Sequence, residues 1–364
     1  MHSLLAVAVA AGAAAVHTAA APRPQTIYAH ANTTISAFAQ DGELVAWFSP
    51  SRTHCNTIHV RSLTNGLQAI LPQRDARNVT CSWDVGSTPV GLALAGTTVL
   101  WTLREQSPIP FDYLLGANAD VGARKERRFQ EIAHTNSGSG LWLAGMSGDH
   151  STLVYGVTSV DYVDEAGCLA GTSPCTLQVV GGGVYRMAGR PILVPGTDRT
   201  GAVAVAASDG AVAYVAPDSV GKQGRPLAGV DSPIDVVDAT TGDLVSRVQP
   251  QGTPLALALS PQTVSTLERT PLGLRVAWYD RTTGNAIGSV PVSSKTSPEL
   301  TATDRTIVYR VGRSIRAVDI ATSKARTLAQ AAAEPVGLSL EGKRLAWAEN
   351  LKGSARIRTL SVKP

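Results

Sequence analysis

Five histidines follow the first 21 residues of this chain, and they are the first candidates for acid–base or metal chemistry. Such a role would require several of them to converge with carboxylates. His30, His54, His59, His134 and His150 fall in different segments of a repeating pattern. The sequence therefore favours surface histidines, or core histidines with satisfied hydrogen bonds.

A second candidate is the acidic segment "DYVDEAGC", which contains Asp161, Asp164 and Glu165. Carboxylate oxygens are the ligands that a hard cation such as calcium prefers. The spacing of these carboxylates matches no recognised calcium-binding loop. We therefore expect solvated loop charges here and no metal site.

Motifs of nucleophilic, metalloprotease and nucleotide-binding sites do not occur in the sequence. There is no G-x-S-x-G around any serine, no H-E-x-x-H and no phosphate-binding loop of the Walker type. The glycine-rich segment "VVGGGVYRMAG" at 179–189 lacks the third glycine of a dinucleotide fingerprint and does not open a helix. It is typical of a strand or turn, so we expect no catalytic residue and no cofactor.

The four cysteines, Cys55, Cys81, Cys168 and Cys175, form no C-x-x-C pair and no Cys/His spacing of a zinc site. An even number of cysteines in an exported chain indicates disulfides. We expect Cys168 to pair locally with Cys175, which leaves Cys55 to pair with Cys81.

Export is indicated by residues 4–21, "LLAVAVAAGAAAVHTAAA", an uncharged run that ends in small residues before a Pro-Arg-Pro segment. The pattern is typical of a secretory signal peptide over residues 1–21, although no Lys or Arg precedes the apolar run. A membrane anchor is the alternative, because the run is just long enough to span a bilayer. After cleavage we expect a secreted or extracytoplasmic protein with no stable membrane span.

Composition narrows the class of protein further. The net charge of +4 is spread along the chain without a run of basic and aromatic residues, so nucleic acid is not an expected partner. Hydrophobic residues make up 44% of the 364 residues, which is enough for a packed core. The abundance of Gly, Pro, Thr and Val favours many short strands joined by turns.

A repeat runs through residues 22–364 and predicts the fold. Each copy has alternating apolar and small residues, then a tight turn, then an apolar strand that usually carries an aromatic residue. Five copies align well: "SAFAQDGELVAWF", "GLALAGTTVLWTL", "AVAASDGAVAYVA", "LTATDRTIVYRVG" and "GLSLEGKRLAWAE". Two weaker copies, "WLAGMSGDHSTLVYGV" and "LALSPQTVSTLER", bring the total to seven. The aligned second-strand residues, expected to pack between repeats, are Trp47, Trp101, Tyr155, Tyr214, Leu267, Tyr309 and Trp347.

A second hairpin completes each copy. In "GLRVAWYDRTTGNAIGSVPV", residues 280–284 are a tight turn between two strands, and its glycine supplies the positive φ that the turn needs. Four-stranded sheets repeated in this way bury both faces when they are arranged radially. The sequence therefore predicts an all-β fold, a single seven-bladed β-propeller of four-stranded antiparallel blades over residues 22–364. The last copy ends one strand short, so residues 25–31 are expected to supply the outer strand of blade seven and close the ring.

The Asp-x-x-Thr-Gly turn after an apolar strand, at 238–242 and 280–284, resembles the repeats of the broad WD40-like, TolB-type and quinoprotein-type bacterial propellers. The resemblance covers nearly all of residues 22–364, but it is architectural and implies a fold without an activity. The sequence lacks the Gly-His and Trp-Asp ends of true WD40 repeats, the separate N-terminal domain of TolB and the repeated Trp of quinoprotein blades. The segment "ASDGAVAY" at 207–214 matches the Asp box of sialidase-like propellers only loosely, so that class is disfavoured.

Three long connections share one face of the predicted propeller, because loops from second to third strands and loops between blades emerge on the same side. They are residues 72–88, 159–175 and 217–232. Long connections are uncommon in a compact fold unless they are used, so this face is the expected binding surface. Its polar candidates are Arg74, Asp75, Arg77, Trp83, Asp84, Asp161, Tyr162, Asp164, Glu165, Lys222, Arg225 and Asp231. Trp83 either is an exposed recognition residue or packs on the neighbouring disulfide.

Two functions fit this architecture. The first is an exported binding or scaffold module, expected to be a monomer, that holds a protein, peptide or glycan on the loop face. The second is a hydrolase, lyase or cofactor-dependent enzyme with its site at the mouth of the central channel. An enzyme would need titratable groups on several innermost strands, and these strands are nearly free of charge until their ends. The sequence therefore favours binding over catalysis.

Overall fold

The computed structural model describes residues 23–50, 56–71, 87–106, 111–120, 125–135, 139–230 and 232–362. The proposed signal peptide and the predicted Cys55–Cys81 pair lie outside these residues. β-strands dominate the described ranges, in which the α-helix is α1 (Glu165–Ala170). None of the helices in these ranges has the length and apolar character needed to span a membrane.

The strands are numbered in chain order. The first part of the chain forms β1 (Gln25–Ala31), β2 (Ala37–Asp41), β3 (Leu44–Pro50), β4 (Asn56–Ser62), β5 (Gln68–Leu71), β6 (Ser87–Ala95), β7 (Thr98–Gln106), β8 (Phe111–Asp120), β9 (Lys125–Thr135), β10 (Gly140–Asp149), β11 (Thr152–Tyr162), β12 (Leu177–Met187) and β13 (Pro191–Leu193). The middle forms β14 (Ala204–Ser208), β15 (Ala211–Val215), β16 (Ser219–Val220), β17 (Pro226–Leu227), β18 (Ile234–Asp238), β19 (Leu244–Val248), β20 (Thr253–Leu259), β21 (Thr263–Thr270), β22 (Gly273–Asp280) and β23 (Ala286–Val292). The last part forms β24 (Thr296–Ala302), β25 (Thr306–Val311), β26 (Ser314–Asp319), β27 (Lys324–Gln330), β28 (Pro335–Glu341), β29 (Arg344–Leu351) and β30 (Ser354–Ser361).

These strands form antiparallel groups of four, which we call blades. Blade one is β2–β5, blade five is β20–β23 and blade six is β24–β27, while blade four is β14, β15, β18 and β19 with the β16–β17 hairpin inserted. Strands β6 to β13 form one eight-stranded sheet, joined in its middle by the single pair His134–Gly140. Division at this pair gives blades two and three, as the repeat predicts. The number of blades stays a prediction, because these two groups share one sheet.

The N-terminal strand completes blade seven. β1 pairs antiparallel with β30, from Gln25 opposite Thr359 to Ala31 opposite Ser354, and the sheet runs β1-β30-β29-β28. The innermost strands contact one another in cyclic order, from β2 through β6, β10, β14, β20, β24 and β28 back to β2. The predicted all-β propeller fold and its N-terminal closing strand are therefore confirmed.

The Asp/Thr/Gly segments are the turns between third and fourth strands. Asp280 Oδ1 accepts hydrogen bonds from the backbone N–H of Thr282 and Thr283, at 3.0 and 2.7 Å, and from the Thr283 hydroxyl. Gly284 follows with a φ of +73° and returns its N–H to the Asp280 carbonyl. The hydrogen bond from the Thr283 backbone is the main cause of the lowered pKa of the Asp280 carboxyl. The repeated motif therefore stabilises the hairpin turn.

The aligned aromatic residues pack between blades, as predicted. Trp47 of blade one is fully buried in a cluster with Ile357 of blade seven, and Trp101 of blade two is buried with Ile58 of blade one. Burying such large apolar side chains between sheets is a major source of stability. Leu267 of blade five differs, because its cluster extends towards blade six and not towards blade four.

Candidate functional site

Six of the predicted binding residues lie on two connections between second and third strands. Asp161 and Tyr162 end β11, and Asp164 and Glu165 begin α1 in the connection to β12 of blade three. The corresponding connection of blade four, β15 to β18, contains Lys222 in a 3-10 turn (Lys222–Gly224), and Arg225 follows that turn. Because antiparallel strands alternate in direction, second-to-third connections share one face of a propeller. The remaining candidates lie outside the described residues: Arg74, Asp75, Arg77, Trp83, Asp84 and Asp231.

The blade-three connection is held in one shape by a disulfide and a helix cap. Cys168 is bonded to Cys175, with their Cα atoms 4.8 Å apart, which confirms the predicted local pair. The two oxygens of Asp164 accept from the Gly167 N–H and the Ser173 hydroxyl, both at 2.9 Å. These hydrogen bonds, the Gly167 one foremost, lower the pKa of Asp164. Asp164 therefore caps α1.

The blade-four connection is a small hairpin. β16 pairs antiparallel with β17, and the Gly221 N–H donates to the Arg225 carbonyl over 2.8 Å. The strand β16 also contacts β12, so the hairpin lies beside the third strand of blade three. The Lys222 and Arg225 side chains are exposed on it. The two connections are therefore neighbours.

Exposed aliphatic side chains accompany these polar residues. Leu169, beside Cys168 in α1, is 81% exposed, and Leu272 at the tip of the blade-five connection is fully exposed. Val163, Leu227 and Val230 on the connections of blades three and four are also exposed. All five lie on second-to-third-strand connections, which emerge on one face, and exposed apolar side chains on one face are candidates for an interaction surface. We call these five residues the apolar loop patch.

The central channel contains a cavity of about 610 Å³ at the end where the first strands finish. Ala, Leu and Ser dominate its lining, as the innermost strands predict. Its charged lining residues are Asp149, His150, Asp209, Asp304 and Glu341. Neither Lys nor Arg is among the described residues that line this cavity. The channel mouth is therefore acidic, and it lies on the face opposite the apolar loop patch.

Four side chains from three blades meet at this mouth. Asp41 ends β2, Asp149 ends β10, His150 follows in the next turn, and Glu341 ends β28. His150 Nδ1 lies 3.0 Å from both Asp41 Oδ1 and Asp149 Oδ1, and its Nε2 lies 3.8 Å from Glu341 Oε1. One ligand atom from each of the four residues lies within 4.8 Å of the others, an arrangement that could hold a metal ion.

Neighbouring groups shift the pKa of both His150 and Glu341. The hydrogen bond to Asp41, followed by the charge of Asp149, raises the pKa of His150. Burial is the main cause of a raised pKa of Glu341, and the charges of Asp41 and Asp149 add to it against the opposing effect of His150. The three carboxylates therefore repel one another around a single imidazole.

The sequence did not predict this convergence. His59 fits the expectation, because it is hydrogen-bonded to Ser49 and Gln68, but His150 meets carboxylates that are distant in sequence. His150 is exposed, as expected of a surface histidine, but the sequence analysis did not anticipate its carboxylate neighbours. The missed signal is that the aligned first strands end in an acid in most repeats, as in "AQDG", "SGDH", "ASDG", "ATDR" and "SLEG". Equivalent strand ends meet around the axis of a propeller.

Comparisons with known proteins give a similarity in fold. No protein-family model matches the sequence, and no curated protein matches it. The chain is similar to a chain of the Mitotic Checkpoint Complex, with 11% identity, coverage of 100% of this chain and 99% of that chain, and a TM-score of 0.53. It is also similar to the Cps50 (Swd1) β-propeller domain of Myceliophteria thermophila, with 11% identity, coverage of 94% and 100%, and a TM-score of 0.51.

A weaker likeness is to BamB from Moraxella catarrhalis, with 12% identity, coverage of 89% of this chain and 85% of that chain, and a TM-score of 0.42. At these identities the similarity concerns architecture, and it does not transfer a ligand or an activity. In its fold, the chain thus resembles β-propellers.

Proposed function

We propose that this protein is an exported binding module that docks a protein partner on the apolar loop patch. The observation that carries the proposal is the exposure of Leu169 and Leu272, with Val163, Leu227 and Val230, on second-to-third-strand connections. Fully burying a leucine side chain contributes about 1.5–3 kcal/mol. Burial against a partner would therefore stabilise a complex.

The rigidity of the blade-three connection supports the same proposal. The Cys168–Cys175 bond and the Asp164 cap fix α1, which carries Leu169, before any partner arrives. A surface that is already ordered loses less conformational entropy on binding. Exposed Glu165, Lys222 and Arg225 would supply the polar rim that surrounds the apolar centre of a protein interface.

A protein fits this patch better than a glycan does. Aliphatic side chains offer no hydrogen bonds to sugar hydroxyl groups, whereas they complement the apolar side chains of another protein. The predicted loop 72–88, with Arg74, Arg77, Trp83 and Asp84, would extend the surface on the same face. An exported location is supported by the disulfide, since such bonds persist in oxidising compartments.

Site-specific photo-cross-linking in the producing cells tests this function. A photoreactive phenylalanine analogue replaces Leu169 in one variant and Leu244 in another; Leu244 is an exposed leucine on the outermost strand β19. We expect one discrete protein adduct from position 169, absent at position 244 and lost when Leu227→Asp is added. Adducts of equal yield at both positions, or none at 169, would contradict the proposal.

A further inference from the structure

We infer that Asp41, Asp149, His150 and Glu341 bind one divalent transition-metal ion at the mouth of the channel. The ligands come from blades one, three and seven, so an ion there would tie together distant parts of the ring. This site lies on the face opposite the apolar loop patch and does not depend on the proposed partner.

The distances match a coordination sphere. A tetrahedral ion with bonds of about 2.0–2.1 Å places its ligand atoms roughly 3.3 Å apart. His150 Nδ1 lies 3.0 Å from Asp41 Oδ1 and from Asp149 Oδ1, within a few tenths of an ångström of that value. Small shifts of exposed His150 and of Glu341 would bring the fourth ligand into place.

The two aspartates are already oriented for this role. Asp41 Oδ2 accepts the Gly96 N–H of blade two at 2.6 Å, and Asp149 Oδ2 accepts the Asp209 N–H of blade four at 3.0 Å. Each aspartate therefore has one oxygen held by the backbone of the next blade and the other beside the His150 ring, and Asp41 Oδ1 also accepts the His150 backbone N–H at 2.9 Å. Outer hydrogen bonds of this kind fix metal ligands in position.

Charge also favours a cation. Three carboxylates converge here on a single imidazole, and no Lys or Arg of the described residues lines the cavity. Arg344 lies nearby in sequence to Glu341, but its guanidinium binds Glu43 and the Gly42 carbonyl. With His150 neutral, as a metal-bound imidazole must be, a divalent ion would offset two of the three carboxylate charges and relieve the repulsion among the carboxylates.

The ligand set selects the kind of ion. One imidazole nitrogen and three carboxylate oxygens suit zinc or manganese, whereas the absence of sulfur among these four residues disfavours copper(I). Zinc and manganese are therefore the probes to use. The competing arrangement is a metal-free clasp in which a protonated His150 bridges the carboxylates.

Metal binding by the tag-free, oxidised full-length protein distinguishes the two arrangements. Calorimetric titration with zinc chloride and with manganese chloride at pH 7.5 should show one saturable ion per chain for at least one of them. Glu341→Gln leaves the Asp41 and Asp149 hydrogen bonds intact, and it should weaken binding roughly 10–100-fold, as should His150→Ala. Asp304→Asn is the matched control, since it removes a carboxylate charge of the same cavity that is outside the four and does not orient them.

Spectroscopy gives a second readout that does not depend on stability. Cobalt(II) in place of zinc should give visible absorption bands that change with His150→Ala and persist with Asp304→Asn. Overturning results are the lack of saturable binding in the parent protein, or equal affinity in the parent and Glu341→Gln proteins. Either result would assign the cluster to a proton-bridged clasp.

Discussion

The indole of Trp47 and the imidazole of His59 are stacked, with ring centroids 5.1 Å apart and planes 8° apart. His59 also lies 2.9 Å from the Gln68 amide nitrogen, which donates to Nδ1, and 2.9 Å from the Ser49 hydroxyl. With Nδ1 as an acceptor, the ring is neutral. Burial, with a smaller contribution from the charge of His30, lowers the pKa of His59 from 6.5 to about 4.

The low pKa of His59 predicts that the folded protein loses stability in acid. The unfolded chain gains a proton on His59 below pH 6.5, while the folded chain resists it until about pH 4, so stability falls as the pH drops through that window. The loss attributable to His59 is about 3 kcal/mol at most, since one pKa unit corresponds to about 1.4 kcal/mol. Urea unfolding at pH 7.5 and 4.5 should show a smaller loss for His59→Gln than for the parent. Equal losses would mean that His59 is not held neutral.

The closing strand predicts a strong effect of truncation. Deleting residues 22–32 removes β1, opens the ring and exposes β30 as an unpaired edge. We expect the melting temperature to fall by roughly 10 °C or more, given about 1 kcal/mol for each lost hydrogen bond. Deleting residues 1–22 is the control and should leave the melting temperature unchanged. An unaltered value after the longer deletion would argue against closure by β1.

Because Glu268 is buried, we expect the loss of Arg275 to cost more stability than the loss of Arg247. Glu268 is completely buried, and its Oε2 accepts from Arg275 Nε at 2.8 Å while Oε1 accepts from the Tyr279 hydroxyl at 2.5 Å. Removing the cation leaves a buried carboxylate uncompensated, so Arg275→Ala should cost about 3 kcal/mol of unfolding free energy. Arg247→Ala, which breaks the more exposed pair with Asp235, should cost about 1 kcal/mol or less. Denaturant unfolding measures both, and similar costs would refute this account of Glu268.

Substitutions at Gly284 and Gly312 distinguish the cost of backbone strain from the cost of a steric clash. Gly284 and Gly312 both have positive φ, +73° and +56°, and substitution by alanine strains the backbone at either one by about 1–2 kcal/mol. At Gly284 a Cβ would also lie 2.3 Å from the Arg247 carbonyl of blade four, whereas at Gly312 it meets nothing within 4 Å. Gly284→Ala should therefore destabilise the protein clearly more than Gly312→Ala. Equal melting temperatures would show that the blade-four contact can yield.

Periodic features of the sequence predicted the fold well. The aligned aromatic positions such as Trp47 and Trp347 were expected to be buried, and the turn at 280–284 needed its Asp and Gly, because these features recur at equivalent positions of the repeats. The closing strand followed from counting strands in the last repeat. Local spacing also sufficed for the Cys168–Cys175 bond.

The site was harder to predict, because it depends on contacts between repeats. Asp41, His150 and Glu341 are far apart in sequence and meet only when the ring is formed. Asp164 was grouped with candidate binding residues, yet its role as a helix cap depends on the short helix that the disulfide encloses. The exposure of Leu169 could not be predicted from the sequence pattern either, since an apolar residue in a loop is equally compatible with burial and with exposure.

The apolar loop patch makes a prediction about affinity. Once cross-linking through position 169 identifies the partner, its dissociation constant for the purified protein can be measured by calorimetry. Leu169→Asp places a charge where an apolar contact is proposed, and Leu244→Asp places the same charge on an outer strand. We expect Leu169→Asp to weaken binding at least about tenfold, which corresponds to about 1.4 kcal/mol, and Leu244→Asp to have little effect. Unchanged affinity of Leu169→Asp, or equal weakening by both substitutions, would contradict docking on this patch.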